Sequence, residues 1–338
     1  MTTADGSLLG PTWRRRIAPW LVLAAFPIAA LGLQTQLHYG EERTVTTVLM
    51  YVGLAAAWNL IGGFAGYACF GQVGFFGLGG YTTAILMVHL RLSFWLALPL
   101  AAAVVFVFAL LVGLPLLRLK GHYFAVATLG VAEGLREVVI NTPDLTGGGA
   151  GITIPSLSDT ATTKWLGNDG FYLLFLGLAV AVLVIGLLIA RTRSGYALRA
   201  IHQDEDAAAA MGVNTTVAKT LAFAVSAGLT GAIGSAYAFQ QVTFYPERLF
   251  DVEITVLMVV MVVLGGAGTV VGPVVGAIAV AYGSEWLRQN IPTGHTFVLG
   301  ALIVVAVILL PQGFVNYLRE GARQRQFSLL ENVRRYRL

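Results

Sequence analysis

Residues 94–117 form a row of 24 without a single charged side chain. A stretch this long and this apolar has no polar face to turn toward water. About 20 apolar residues in an α-helix match the hydrocarbon thickness of a bilayer, and such a helix also satisfies its own backbone groups. Comparable runs occupy residues 17–33, 44–61, 171–190, 220–239 and 296–310. Charged residues make up 11% of the 338-residue chain and apolar ones 57%, against about 25% and 45–50% in soluble domains. Mean hydropathy is +0.77. The pattern predicts an all-α fold, a polytopic membrane helical bundle of about ten transmembrane segments, some of them broken by glycine.

Two of the breaks are explicit. Residues 62–81 are dense in glycine, which would destabilise an isolated helix but in a bilayer permits close backbone approach or a broken helix lining a cavity. Residues 265–273 interrupt a second apolar run with Gly265, Gly266, Gly268, Gly272 and Pro273, and Gly276 follows at GxxxG spacing. Proline disfavours helix in the residue before it, so this reads as two helices joined by a tight break. In 220–239, Ser226, Thr230, Gly234 and Ala238 recur every four residues, a small-residue packing stripe. The span 122–140 holds Glu133, Arg136 and Glu137. Glu133 and Arg136 share a helix face and can pair. Ionisable groups in a span face a cavity or the bundle interior, unless they sit near an end where water is close.

Chemistry is sparse. No Walker A, G-x-S-x-G, H-E-x-x-H or Ser-x-x-Lys motif occurs, and Thr146-Gly-Gly-Gly149 is no phosphate loop because no Gly-Lys-Ser/Thr follows. The five His show no ligand spacing and Cys69 is alone. No catalytic residue, metal or cofactor is expected.

Residues 191–219 are the polar exception, carrying Arg191, Arg193, Arg199 and Lys219 against Asp204, Glu205 and Asp206. Ser194 suits an N-cap; Ala197, Leu198, Ile201, Ala208 and Met211 suit one apolar side; Gly212 suits a helix stop and Asn214 the next cap. The segment is either a docking surface for a soluble partner or a solvated connector. Ten spans with the N-terminus inside place fifteen of the 21 basic residues inside, leaving Arg43, Arg91, Lys164, Arg248 and Arg288 outside and Arg136 in a span. By the positive-inside rule, 191–219 is cytoplasmic. The organisation expected is a cytoplasmic segment 1–16, a membrane domain 17–311 with an outer loop at 141–169, and a basic cytoplasmic tail 312–338. Basic residues before the first run also fit a secretory signal, but the run is long for one.

Several stretches, in order, resemble a known family. These are residues 66–81, residues 119–130, Glu133 with Arg136, residues 145–148 with Gly151-Ile152, residues 194–201 with Ala207, Ala208, Met211 and Gly212, and the break from Gly265 to Gly276. Over about residues 44–313 they are similar to the permease subunits of branched-chain amino acid ABC importers, of the LivM type. Gln72 stands where that family often has His, and Gly80 where it often has Ala.

The resemblance implies a bacterial inner-membrane subunit with both termini cytoplasmic. It would pair with a second, LivH-like permease and be powered by two ATP-binding subunits. A periplasmic or lipid-anchored substrate-binding protein would feed it. It implies ATPase coupling through Arg199, Asp206, Ala207, Ala208 and Gly212, since Asp206-Ala-Ala-x-x-x-Gly212 is similar to the docking helix of ABC importers, with Asp for Glu. It also implies a translocation path near Gln72, Phe75, Phe76, Glu133 and Arg136. Permeases for urea or short-chain amides are similar, so the substrate stays open. A stand-alone secondary transporter or channel is the alternative of another class.

Overall fold

The computed structural model describes residues 25–32, 34, 39–154, 168–290, 294–309 and 312–318. The expected N-terminal segment, most of the basic tail and part of the outer loop lie outside the described residues. Residues 25–32 are helical. After them come α1 (Tyr39–Ile61), α2 (Gln72–Val88), α3 (Phe94–Leu116), α4 (His122–Ile140), α5 (Asn168–Arg191), α6 (Arg193–Gln203), α7 (Glu205–Ala210), α8 (Thr215–Gln241), α9 (Val252–Gly265), α10 (Gly272–Asn290) and α11 (His295–Leu309). The chain is an all-α bundle. Five stretches among the described residues are long and apolar enough to cross a membrane: Glu42–Ile61, Phe94–Leu116, Asp169–Arg191, Thr215–Gln241 and Phe297–Leu318. Gln72–Val88 is apolar but shorter.

The centre is α8, packed against α1, α2 and α3. Its stripe Ser226, Thr230, Gly234 and Ala238 is buried throughout. Helix α2 meets it backbone to backbone. A Cβ on Gly79 would lie 2.1 Å from the Gly231 carbonyl oxygen, and one on Gly234 would lie 2.0 Å from that of Phe76. Polar side chains close the same seam: Gln72 Nε2 donates to Ser226 Oγ at 2.9 Å and Thr230 Oγ1 at 2.8 Å, and Thr83 bonds Ser235. Without a hydrophobic drive between helices in lipid, close van der Waals contact and such bonds hold the pair.

Both expected breaks are present. Helix α1 ends at Ile61 and α2 begins at Gln72; α9 ends at Gly265 and α10 begins at Gly272. The second break folds α9 tightly on α10, since a Cβ on Gly276 would lie 1.8 Å from the Met261 carbonyl oxygen and one on Gly265 would lie 1.9 Å from that of Gly272. The two breaks also touch. Asn59 Nδ2 donates to the Thr269 carbonyl at 2.9 Å, and its Oδ1 accepts from Gly268 N at 3.0 Å.

The segment after α4 is more ordered than the loop expected there. Thr146 Oγ1 donates to the Val139 carbonyl at 2.6 Å, and strand β1 (Ile152–Thr153) pairs antiparallel with β2 (Thr243–Phe244). Gly147, Gly148 and Gly151 all have positive φ, which explains the glycine run.

Gly79→Leu and Gly272→Leu would each drive a side chain into backbone, and overpacking of this kind costs about 1–3 kcal/mol or more. The monodisperse fraction extracted in mild detergent is expected to fall several-fold for both. Gly177→Leu should leave it unchanged, because a Cβ there meets nothing within 4 Å. Wild-type yield for Gly79→Leu would mean that α2 and α8 have slack this geometry denies.

Candidate functional site

The polar stretch folds as two short helices. Gly195 lets α6 turn directly off α5, since a Cβ there would lie 2.2 Å from the Ile189 carbonyl oxygen. Because α6 begins at Arg193, Ser194 is already inside the first turn; the N-cap is Thr192, whose hydroxyl donates instead to the Ile189 carbonyl at 2.8 Å. Asp204 caps α7, accepting from Asp206 N and Ala207 N at 2.9 Å each. Gly212, at φ +87°, ends the helix as expected, and Asn214 caps α8 by accepting from Val217 N at 3.1 Å. Helix α7 is therefore fixed at both ends, by the Asp204 cap and the Gly212 stop.

An ion-paired cluster clamps this unit to the bundle. Lys219, in the first turns of α8, has a side chain only 4% exposed. Its ammonium pairs with Glu205 and donates to Tyr67 Oη at 2.9 Å and to the Leu117 carbonyl at 3.1 Å. Tyr67 Oη in turn donates to the other Glu205 oxygen. All three ammonium protons are used, which is what makes a buried lysine tolerable. Burial pushes the Glu205 carboxyl up, but the bonds from Lys219 and Tyr67 outweigh it and hold the group below its ordinary range. Tyr67 belongs to the first glycine break, and two more contacts reach that break. The Arg199 guanidinium lies 5.4 Å from the centre of the Phe64 ring. The His202 ring lies so close to Gly66 that a Cβ there would come within 2.9 Å of Nδ1.

The expected site residues separate into groups. Asp206 is exposed and pairs with Lys120 at 3.1 Å, while Ala207, Gly212 and Arg199 are exposed beside it. Ala208 differs from its neighbours: it is 4% exposed and turned inward, as are Gly195, Leu198 and Ile201 of α6. Met211, expected on the apolar side, is 86% exposed instead, because α7 ends one residue before it and the chain turns. Gln72, Phe75 and Phe76 are buried where α2 meets its neighbours, Gln72 through its bonds to Ser226 and Thr230. Glu133 and Arg136 do pair, on α4. That helix buries only a narrow stripe, including Phe124, Thr128, Ala132 and Val139. Its other face, with Val126, Gly130, Glu133, Gly134 and Glu137, is exposed among the described residues.

Sequence reasoning missed Tyr67, Glu205 and Lys219 as a unit, and Asn59 as the bracket between breaks. Lys219 carried a faint signal, a lysine among Val217, Ala218 and Leu221. Tyr67 and Asn59 carried none, since their partners lie 138 and 210 residues away.

Apolar helices crossing at glycine seams, with a rigid polar helix pair at one end, define a polytopic membrane protein. The chain belongs to the family described as the branched-chain amino acid transport system / permease component, whose model matches residues 42–307. It is 30% identical over 322 residues to the high-affinity branched-chain amino acid transport system permease protein LivM of Salmonella typhimurium, covering 88% of this chain and 75% of that protein. The LivM protein of Escherichia coli matches with the same identity and coverage. A probable branched-chain amino acid transport permease protein LivM of Methanocaldococcus jannaschii is 25% identical over 184 residues, 54% of this chain and 53% of that protein. No solved structure matches the chain.

Lys219→Met strips Glu205 of its cation, and removing one partner of a buried pair costs about 3 kcal/mol. The detergent-solubilised protein should melt several degrees lower. Because the Glu205 carboxyl sits below its unfolded value, about 4.3, the pair stabilises the fold at neutral pH. That contribution is lost as pH falls through the folded value. Glu205→Gln should therefore lose stability at pH 7 and show a flatter acid limb than wild type. An unchanged melting temperature for Lys219→Met would show the cluster to be energetically idle.

Proposed function

We propose that this chain is the membrane-spanning permease subunit of an ATP-driven importer for branched-chain amino acids. A LivH-like permease would supply the other half of the path. Two ATP-binding subunits would dock from the cytoplasm, and a periplasmic or lipid-anchored binding protein would deliver substrate. The chain itself would carry no nucleotide chemistry. On this reading it sits in the bacterial inner membrane with about ten spans. Its termini and α6–α7 face the cytoplasm, as the distribution of basic residues suggests.

One observation carries the docking role: Ala207, Ala209 and Ala210 are exposed on a short helix fixed at both ends and clamped to the membrane bundle, with Met211 exposed just past its end. Small side chains on a rigid ridge seat closely in a groove, and Asp206 and Arg199 at its edges would set register. Ala207→Arg and Met211→Glu should cut recovery of the ATP-binding subunits in a pull-down by at least about tenfold, a loss of about 1.4 kcal/mol. Both alter only exposed positions, so membrane insertion should persist. A tag inserted at Gln203 should be cut by protease only from the cytoplasmic side. Wild-type pull-down and substrate-stimulated ATPase activity in both variants would reduce the segment to a connector.

The uncovered face of α4 supports a second role. A helix with Glu133, Arg136 and Glu137 on such a face is costly against lipid, so we assign it to the path or the seam with the second permease. Glu133→Gln leaves Arg136 without its partner. Leucine uptake into vesicles should fall several-fold in Glu133→Gln and in Arg136→Gln. Wild-type uptake in both variants would make the pair peripheral.

A further inference from the structure

At the end of the bundle away from α6 and α7, helices α1, α5, α8 and α10 and the short Pro246–Leu249 turn line a half-open cavity of about 710 Å³. Its position follows from chain direction. Helix α8 leaves the polar segment at Thr215 and reaches the cavity only at Tyr237, Gln240 and Gln241. Helix α5 passes it at Phe171 before running to Arg191. The volume falls within the range of small-molecule sites, about 300–1,000 Å³.

The lining combines two kinds of side chain. Met50, Tyr51, Phe171 and Tyr237 are apolar or aromatic. Glu42, Arg43, Arg248, Glu285 and Arg288 carry charge of both signs. Arg288 is committed to Glu285 through two bonds, at 2.7 and 3.0 Å. Among the described residues, Arg43 and Arg248 form no ion pair. Glu42 is only 8% exposed, and its Oε1 has no hydrogen-bond partner among the described residues. Its carboxyl lies within hydrogen-bond reach of another acid, Asp169, so the two either share a proton or crowd two negative charges. A cation at this place would relieve that crowding.

We propose that this cavity is a binding site for a zwitterionic α-amino acid with an apolar side chain. The ammonium would lie at Glu42, the carboxylate at Arg43 and Arg248, and the side chain against the aromatic residues. Arginine suits a carboxylate because its planar fork can bond both oxygens. The inference rests on the importer reading and adds to it a substrate station in this chain, outside the face of α4.

The test uses the assembled transporter, purified without the binding protein and without nucleotide, and carrying Thr47→Cys. Thr47 lines the cavity and is exposed, while the native Cys69 is fully buried and will not react. A cationic methanethiosulfonate is the probe, read by the mass of this chain. L-leucine should slow labelling several-fold. Isopentylamine, which lacks the carboxylate, and 4-methylpentanoate, which lacks the ammonium, should not. Adding Glu42→Gln should abolish the protection by leucine. Unchanged labelling in saturating leucine overturns the site, and so does an introduced thiol that never labels. Equal protection by either half-molecule overturns the zwitterion assignment. Leucine import by the wild-type complex in vesicles separates the two readings: import without protection removes the site alone, whereas no import with any hydrophobic amino acid removes the importer reading as well.

Discussion

Inside a bilayer, every backbone group freed by breaking a helix must find a partner within the protein, because no water is there to supply one. The rest of this structure is arranged around meeting that demand at two places. Between α1 and α2, the Cys69 carbonyl takes a bond from Trp58 Nε1 at 2.7 Å, Phe70 N bonds Thr128 Oγ1 at 3.2 Å, and Val73 N bonds Thr255 Oγ1 at 2.9 Å. Between α9 and α10, Asn59 serves both an amide and a carbonyl. The partners come from α1, α4 and α9, so each break fastens several helices at once. Glycine is required because the chains meet with no room for a Cβ: one on Gly63 would lie 2.6 Å from Gly268 N.

The Lys219 cluster extends this network to the membrane edge. It joins the start of α8, the end of α3, the first residue of α7 and the first glycine break at one ammonium group. On the proposed function, a displacement of α7 by a docked subunit is passed to Tyr67 and so to the break that precedes α2. Rigid helices with bonded ends transmit such a movement, whereas a floppy linker would absorb it.

How much of this could be read in the sequence depends on range. The long apolar helices among the described residues, both breaks, the stripe from Ser226 to Ala238, the Gly212 stop and the Asn214 cap all rest on local periodicity or on a residue's own backbone preference, and each is where the sequence places it. What the sequence does not carry is which way a side chain points in three dimensions. The resemblance implies a path near Gln72, Phe75 and Phe76; the glycines around them bring α8 close, and all three are buried. Ala208 sits among exposed neighbours, and one residue's rotation on a helix of only six residues turns it inward. The charged cavity was invisible because its lining comes from four helices and a short turn scattered across the chain, with Glu42 and Arg288 far apart in sequence.

Helix α4 has a consequence for the life of the subunit in the cell. It is held by one thin stripe and turns Glu133, Arg136 and Glu137 away from its own chain. On the proposed reading, a second permease covers that face. A copy made in excess of its partner leaves three ionisable groups facing lipid, and the helix that bears them has little packing to keep it in place. Such a molecule is the natural substrate of membrane quality-control proteolysis, which acts on the fraction that opens. Subunit stoichiometry would then be set by degradation of the unpaired copy, with no regulation of synthesis required.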